Sequence, residues 1–298
     1  MQLNSTNNQT INLEKINIIC NKARRNSEKI ADMLIKLLEQ NGINYSKQNI
    51  IPTAHNSQTI DFDKNATFAI TIGGDGTLLS TARFYAQYDV PVLGVNFGRL
   101  GFLAQIGQKK LKQGLEEILN GKFLIQNRLI LEGKTSITNK SFLALNDIVV
   151  KGGSLSRTSR LFLSINNQEV CDYLADGIII ATPTGSTAYN LSANGPIISP
   201  TIDSIVITPI CPHTLSIRPL VIQGNEKIEI RTDKNADLTY ITADGQDNYQ
   251  LEYNEKIFIQ KSEKTAKLVL LNSDKNNFYS VLREKLNWGI PTQLKKNY

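Results

Sequence analysis

Two spacings of apolar residues alternate along the first third of the chain. Ile16 to Cys20 is a short, mostly apolar run of strand length. Ser27 to Asn41 places Ile30, Met33, Leu34, Leu37 and Leu38 three and four residues apart. That spacing predicts an amphipathic helix, closed by Gly42 as its C-terminal cap. Ile43–Tyr45 and Phe68–Ile72 predict strands, Leu78–Gln87 a helix, Pro91–Val95 a strand, and Leu111–Asn120 a helix ended by Gly121. Strands alternating with helices in this way predict a parallel sheet with helices on its faces, an α/β N-terminal domain.

The pattern changes near Phe123. Short runs then recur with few helical signals: Leu129–Glu132, Phe142–Leu145, Ile148–Lys151, Leu161–Ile165, Val170–Leu174, Ile178–Ala181, Ile205–Thr208, Lys227–Arg231, Leu238–Thr242, Lys256–Gln260 and Leu268–Leu271. Several alternate apolar and polar residues, as half-buried antiparallel strands do. An all-β sandwich is the expected C-terminal domain. Phe278 to Trp288 returns to helical spacing, with Leu282 and Leu286 on one face. The expected division is a flexible tail over 1–12, an α/β nucleotide-binding domain over 13–122, a β-sandwich over 123–275, and a helix over 276–298 that returns to the first domain.

Composition narrows the class. A chain of 298 residues with 41% hydrophobic and 20% charged residues fits a soluble globular protein of two domains. No apolar run reaches membrane-spanning length, and the polar, Asn-rich start carries no export signal, so a cytoplasmic location without membrane contact is expected. The net charge of +6 is spread without a Lys/Arg block, which gives nucleic-acid binding no support. Cys20, Cys171 and Cys211 are scattered and read as buried small apolar residues in a reducing compartment. With only His55 and His213, a zinc site or a histidine triad lacks material.

The strongest local signal is Gly73-Gly74-Asp75-Gly76-Thr77, between a predicted strand and a predicted helix. Backbone N–H groups and a helix N-terminus converge there, which suits phosphate. The glycines permit positive φ and close ligand approach. A carboxylate beside phosphate suggests phosphoryl transfer, although Gly-Gly-Asp-Gly is also sound turn chemistry, and both roles stay open. Neither common phosphate motif is present. Gly133-Lys134-Thr135 lacks its glycine at Arg128, and Leu79 stands where a dinucleotide fingerprint needs its third glycine.

Further candidates lie in the β half. Asp176 begins a segment that runs through an apolar strand into Pro183-Thr184-Gly185-Ser186-Thr187. Those hydroxyls either cap a helix starting near Ser186 or bind ribose and phosphate oxygens. Tyr189 either joins the core or offers a ring to a base. Asn146-Asp147 puts two polar groups inside an apolar run, at a turn or facing a ligand. Asp244-Gly245 before Gln246 reads as a hairpin turn. Arg157 and Arg160 fall in a Gly/Ser/Arg-rich loop, and His213 lies among proline-punctuated turns.

Taken together, Gly73-Gly74-Asp75-Gly76, Asn96 to Leu103, Asn146-Asp147, Asp176 to Leu191, Pro212 to Leu215 and Arg218 to Val221 resemble bacterial NAD kinases, in order and spacing, over most of the chain. The resemblance implies an ATP-dependent enzyme that phosphorylates the 2′-hydroxyl of the adenosine ribose of NAD, giving NADP. It implies a divalent metal (Mg²⁺ or Mn²⁺) and a homodimer or homotetramer, with polyphosphate a donor for some relatives. By position, Asp75 resembles the catalytic carboxylate, and Gly73, Gly74, Gly76 and Thr77 the phosphate loop. Asp75, Gly76, Asn146, Asp147, Arg157, Leu174, Asp176, Thr187, Ala188, Tyr189, Asn190, Leu191, Ser192 and Gln246 fall where the family contacts NAD. Asp147 stands where the family often has glutamate, one methylene longer. Lipid kinases share the glycine loop but usually follow it with a Gly-Thr-Gly-Asn type segment, where this chain reads Leu93-Gly94-Val95-Asn96-Phe97-Gly98. A non-catalytic nucleotide sensor would tolerate loss of the Asp75 carboxylate, which this chain retains.

Overall fold

The structure, a computed structural model, describes residues 13–51, 62–96, 101–103, 106–107, 110–153, 159–233, 238–272 and 277–288. The tail over 1–12, His55 and Arg157 lie outside them. The described residues of 13–126 and 267–288 form one compact unit, and those of 127–266 a second.

The first unit opens with β1 (Lys15–Asn21), α1 (Ser27–Gln40), β2 (Asn44–Ile50), β3 (Phe68–Ile72), α2 (Asp75–Ala86), β4 (Val92–Asn96), β5 (Ile106–Gly107) and α3 (Leu111–Leu119). Its strands pair in parallel in the order β2-β1-β3-β4, with β5 also on β4. β3 is buried along its whole length, which is why it reads as a short apolar run. Ile30, Ala31, Leu34 and Leu38 of α1 join Ile16, Ile18, Ile70 and Val95 in one core, while Met33 turns outward at 43% exposure. Gly42 takes φ +67 after the helix, the left-handed position a C-terminal cap requires. β2 runs well past its predicted three residues because its sequence, Asn44-Tyr45-Ser46-Lys47-Gln48-Asn49-Ile50, carries the polarity of a sheet edge.

β6 (Phe123–Thr135) carries the chain into the second unit, which continues with β7 (Ser141–Ala144), β8 (Asp147–Gly152), β9 (Ser159–Ile165), β10 (Gln168–Ala175) and β11 (Gly177–Ala181). A 3-10 turn over Gly185–Thr187 and the short α4 (Tyr189–Ser192) follow, then β12 (Ser204–Ile210), β13 (Leu220–Gln223), β14 (Ile228–Thr232), β15 (Thr239–Ala243) and β16 (Asp247–Leu251). β17 (Lys256–Leu271) leads back to the first unit, where Leu268 pairs with Val92, and α5 (Phe278–Leu286) buries Val281 and Leu282. The predicted strands at 256–260 and 268–271 are the two ends of this single strand. Its middle, Lys261 to Thr265, is polar enough to hide the continuity.

One sheet of the second unit has the order β13-β12-β11-β8-β15-β16, all antiparallel. β10, β9, β14 and the start of β17 make a second antiparallel layer. Ile148, Val150, Ile178 and Ile180 from the first layer meet Leu161, Leu163, Ile230 and Ile257 in a shared core, the expected sandwich. The alternate residues Val149, Ile179, Ala181 and Val206 pack on Ala193 and Ile198, so β11 is covered on both faces. Of the three cysteines only Cys20 is buried. Cys171 lies half-buried on edge strand β10, and Cys211 is exposed at φ +47 after β12.

Glu255 ties down the loop after β6. Its carboxylate accepts the N–H groups of Ile137 (3.1 Å), Thr138 (2.8 Å) and Glu252 (2.9 Å), and the Thr138 hydroxyl at 2.7 Å. Burial alone would raise its pKa, but these bonds outweigh burial and hold it at about 2. A depressed carboxyl pKa stabilises the fold above the unfolded value and is lost as pH falls through the folded one. Glu255→Gln is therefore expected to cost on the order of 2–3 kcal/mol at pH 7. In urea titrations the gap to the parent should close between about pH 5 and pH 2; a gap constant across that range would contradict the assignment.

Candidate functional site

The glycine loop lies beyond the carboxyl ends of β1, β3 and β4, where open parallel sheets present ligands. α2 begins at Asp75 itself, three residues earlier than its apolar spacing suggests, so the carboxylate sits in the first turn. The positive end of the helix dipole favours a negative charge there. Two buried ties hold α2 in place. Asn17 Nδ2 donates to the Tyr85 hydroxyl at 2.7 Å, and Asn21 Nδ2 donates to Thr77 Oγ1 at 2.9 Å. Gly73 N–H donates to the Val95 carbonyl at 3.0 Å, which closes the loop onto β4.

The loop glycines do not use left-handed backbone. Gly74 is extended at φ −97, and the described glycines with positive φ are Gly42, Gly121 and Gly245. Steric room is the reason instead at Gly73, where a Cβ would fall 2.5 Å from Thr77 Oγ1. At Gly74 the space is open, and a Cβ there would stand 3.6 Å from the exposed Arg24 guanidinium. Gly76 is exposed.

Asp75 is held on one side only. Its Oδ2 accepts the Phe102 N–H at 3.1 Å, while its Oδ1 is buried without a hydrogen-bond partner. The Gly101 Cα lies flush against that carboxylate, and a Cβ there would overlap it. Phe102 in turn has Lys285 Nζ 5.0 Å from its ring centroid.

The second unit assembles a different cluster at one end of its six-stranded sheet. Asp147 opens β8 opposite Ala181, and Ile148 pairs with Ala243 before the β15–β16 turn. The Asp244 carboxylate accepts three consecutive N–H groups, from Leu145 (3.0 Å), Asn146 (2.7 Å) and Asp147 (3.2 Å). Asp244 and Gly245 both have positive φ, so the turn is the predicted hairpin and a clamp as well. Thr182 completes the lock: its N–H donates to the Asn146 carbonyl at 2.8 Å, and its hydroxyl to the Leu145 carbonyl at 2.6 Å. Gly185 lies so close to the Asn146 carbonyl that no side chain fits.

Asp147 is only 5% exposed. Burial first, and the neighbouring Asp244 second, raise its pKa to about 7. Gln246 and Asn146 are half-buried beside it in sequence and sheet position. In the threonine-rich segment Thr182, rather than Thr184 or Ser186, caps the 3-10 turn by accepting the Gly185 N–H at 3.0 Å. Ser186 instead donates to the Pro183 carbonyl and accepts the Ile198 N–H. Asn190 is fully buried, donating to the Ser186 and Pro196 carbonyls and accepting the Thr208 hydroxyl. Tyr189 stands 41% exposed, outside the core. Burial, then Cys211, Asp147 and Asp176, raise its pKa. Thr187, Ala188 and Leu191 are half-buried and Ser192 is exposed.

Leu174 and Asp176 stand at the other end of β11. The Asp176 N–H donates to the Ile210 carbonyl, at the opposite end of five-residue β11 from Asp147. At strand rise that is roughly 15 Å. His213 is exposed, and its N–H donates to the Leu174 carbonyl. Asn146, Asp147 and Gln246 thus share one sheet end, Asp176 and Leu174 the other, and Asp75 belongs to the first unit. Sequence reasoning passed over Gly101, Asn21, Thr182 and the clamping role of Asp244. Of these, only Asp244-Gly245 carried a local signal, and it pointed to a turn.

Residues 16–123 match the ATP-NAD kinase N-terminal domain family and residues 145–271 the ATP-NAD kinase C-terminal domain family. The chain is 43% identical over 236 residues to the NAD kinase of Caldanaerobacter subterraneus subsp. tengcongensis, covering 78% of this chain and 82% of that one. It is 38% identical over 283 residues to the NAD kinase of Thermoanaerobacter sp. (strain X514), covering 92% and 99%. Among solved structures, yeast NADH kinase complexed with NADH superposes with a TM-score of 0.80 at 25% identity, covering 95% of this chain and 90% of that one. An NAD kinase from Archaeoglobus fulgidus in complex with ATP gives 0.69 at 25% identity, covering 90% and 98%. With family matches spanning both units and such relatives along nearly its whole length, the chain belongs to the ATP-NAD kinase family.

Proposed function

We propose that this chain transfers the γ-phosphate of ATP to the 2′-hydroxyl of the adenosine ribose of NAD, forming NADP, with Asp75 as general base. The observation that carries the reading is the half-satisfied Asp75 carboxylate. One oxygen is fixed by the Phe102 N–H, and the other is buried, unbonded and free to accept a proton. An orphan acceptor of this kind costs free energy unless a ligand supplies its donor. A ribose hydroxyl is such a donor. As its oxygen attacks the γ-phosphorus, the proton passes to Asp75 and ADP leaves. The α2 N-terminus and the loop over Gly73, Gly74, Gly76 and Thr77 receive phosphate charge.

The second unit holds the dinucleotide in this reading. Asn146 and Asp147 offer an amide and a carboxylate on a loop clamped by Asp244, and exposed Tyr189 offers a ring to a base. Leu174, Asp176, Gln246 and the run from Thr187 to Ser192 complete the set that the family likeness assigns to NAD, together with Arg157. The exposed apolar side chains of Val170, Leu174 and Phe258 on β10 and β17 support a homo-oligomer. Among the described residues no helix is long and apolar enough to cross a membrane.

A divalent metal, Mg²⁺ or Mn²⁺, fits the donor set. Among the described residues no three acidic, histidine or cysteine side chains gather as a metal cage. Mg²⁺ carried on nucleotide phosphates keeps several waters and needs few protein ligands, so it would not require a carboxylate cage, and Asp75 would keep its unbonded oxygen for the ribose proton. When bound, such an ion neutralises phosphate charge.

NADP formation from NAD and ATP, read through an NADP-specific dehydrogenase, tests the reaction directly; no product with ATP or polyphosphate, under Mg²⁺ or Mn²⁺, would overturn it. Asp75→Asn should lower turnover by about 10² to 10⁴ while NAD still binds. Near-normal turnover would remove Asp75 from the chemistry. Gly101→Ala should give a similar loss, because its methyl displaces the Asp75 carboxylate.

The ionisation of Asp147 gives a separate prediction. A carboxyl whose folded pKa is raised stabilises the fold when protonated, and that contribution fades as pH rises from about 4 through about 7. Asp147→Asn, always neutral, should match the parent near pH 4 and exceed it in melting temperature at pH 8. A parent equally stable or more stable at pH 8 would show that Asp147 ionises without penalty.

A further inference from the structure

Arg128, on β6, is a buried cation without a counter-ion among the described residues. Its side chain is 5% exposed, and its Nε is sealed from solvent with no hydrogen-bond partner. One bond remains, from Nη1 to the Thr184 hydroxyl, and at 3.3 Å it is long for an N–H donor. Burial lowers the guanidinium pKa to about 10, which still leaves it charged at neutral pH. Taking such a charge out of water is costly unless a partner compensates it. The acids of the neighbouring loop do not serve. The Asp244 carboxylate is engaged by the N–H groups of residues 145–147, and Asp147 has its pKa raised rather than lowered, the opposite of what a nearby cation does.

Thr184, itself 6% exposed, directly precedes Gly185, which lies against the Asn146 carbonyl. The unsatisfied guanidinium is therefore joined to the segment that continues through Thr187 to Tyr189. A neutral ligand would leave its charge uncompensated. An oxyanion would not, and a planar guanidinium is the side chain best matched to the oxygens of a phosphoryl group.

We propose that Arg128 and Thr184 form an anion subsite in the β unit that takes a phosphoryl oxyanion of a bound nucleotide. Only the source of that phosphoryl group, NAD or ATP, rests on the function proposed above. The site is a feature of this chain's own buried charge and needs no turnover to be seen.

Calorimetric titration of the full chain with inorganic diphosphate, NAD and ATP, separately, tests it alongside thermal unfolding without ligand. Arg128→Met keeps the length and removes the charge. It should unfold at the parent's temperature or above it, since an unpaired buried charge is exchanged for apolar contact. It should bind diphosphate at least tenfold more weakly. A matching loss for NAD with ATP unchanged assigns the subsite to the dinucleotide, and the reverse assigns it to the donor. The proposal is overturned if the parent binds none of the three, or if Arg128→Met binds all three within twofold of the parent, whatever its melting temperature. Should Arg128→Met fail to fold, Arg128→Lys and Thr184→Val take its place, and unchanged diphosphate affinity in both overturns it equally. NADP formation by the parent is read in a separate assay, so an inactive parent that still loses diphosphate on substitution sinks the kinase reading and leaves the subsite standing.

Discussion

Carboxylates that accept backbone N–H groups hold the loops on which both candidate clusters depend. Asp244 takes three consecutive N–H groups from residues 145–147, Glu255 takes those of Ile137, Thr138 and Glu252, and Asp75 takes that of Phe102. The degree of saturation separates their roles. Asp244 and Glu255 spend both oxygens on the chain itself, so they fix geometry. Asp75 spends one and keeps the other buried and unbonded. A group selected only for stability would not leave a desolvated acceptor empty, because that costs about 1–3 kcal/mol. The same comparison marks Arg128, whose donors far outnumber its single bond.

Much of the architecture was legible in the periodicity. The buried runs Ile16–Cys20, Phe68–Ile72 and Ile178–Ala181 announce central strands because both faces of each are covered. Polar stretches misled. Residues 46–50 carry no strand signal beyond the predicted start yet continue the edge strand β2, and the charged middle of β17 reads as a break although pairing partners hold each end. α2 begins before its first apolar residue because helix starts are set by backbone and dipole, not by the apolar stripe.

The candidate site was legible where chemistry shows in residue type and hidden where it shows only in contact. Asp75 and the Asn146-Asp147 pair stand out as carboxylates and amides in apolar surroundings. Gly101 does not, since its role is the absence of a Cβ beside Asp75, twenty-six positions away in the chain. Asp244 reads as an ordinary turn residue because its backbone is one. That its side chain also clamps residues 145–147 follows from the pairing of β8 with β15, which no local pattern encodes.

The threonine-rich segment shows how one stretch divides its labour. After the 3-10 turn, Asn190 points inward and uses both ends of its amide on Ser186, Pro196 and Thr208, while Gly195 leaves the room it needs. One residue earlier, Tyr189 points outward at 41% exposure. Asn190 and Ser186 hold the backbone, and that backbone presents the Tyr189 ring, the Thr187 hydroxyl and main-chain groups beside Ala188, the groups on which the proposed function draws. A likeness in sequence treats the run from Thr187 to Ser192 as one binding strip. The packing splits it into an inner row whose side chains bond within the protein and an outer row that meets solvent.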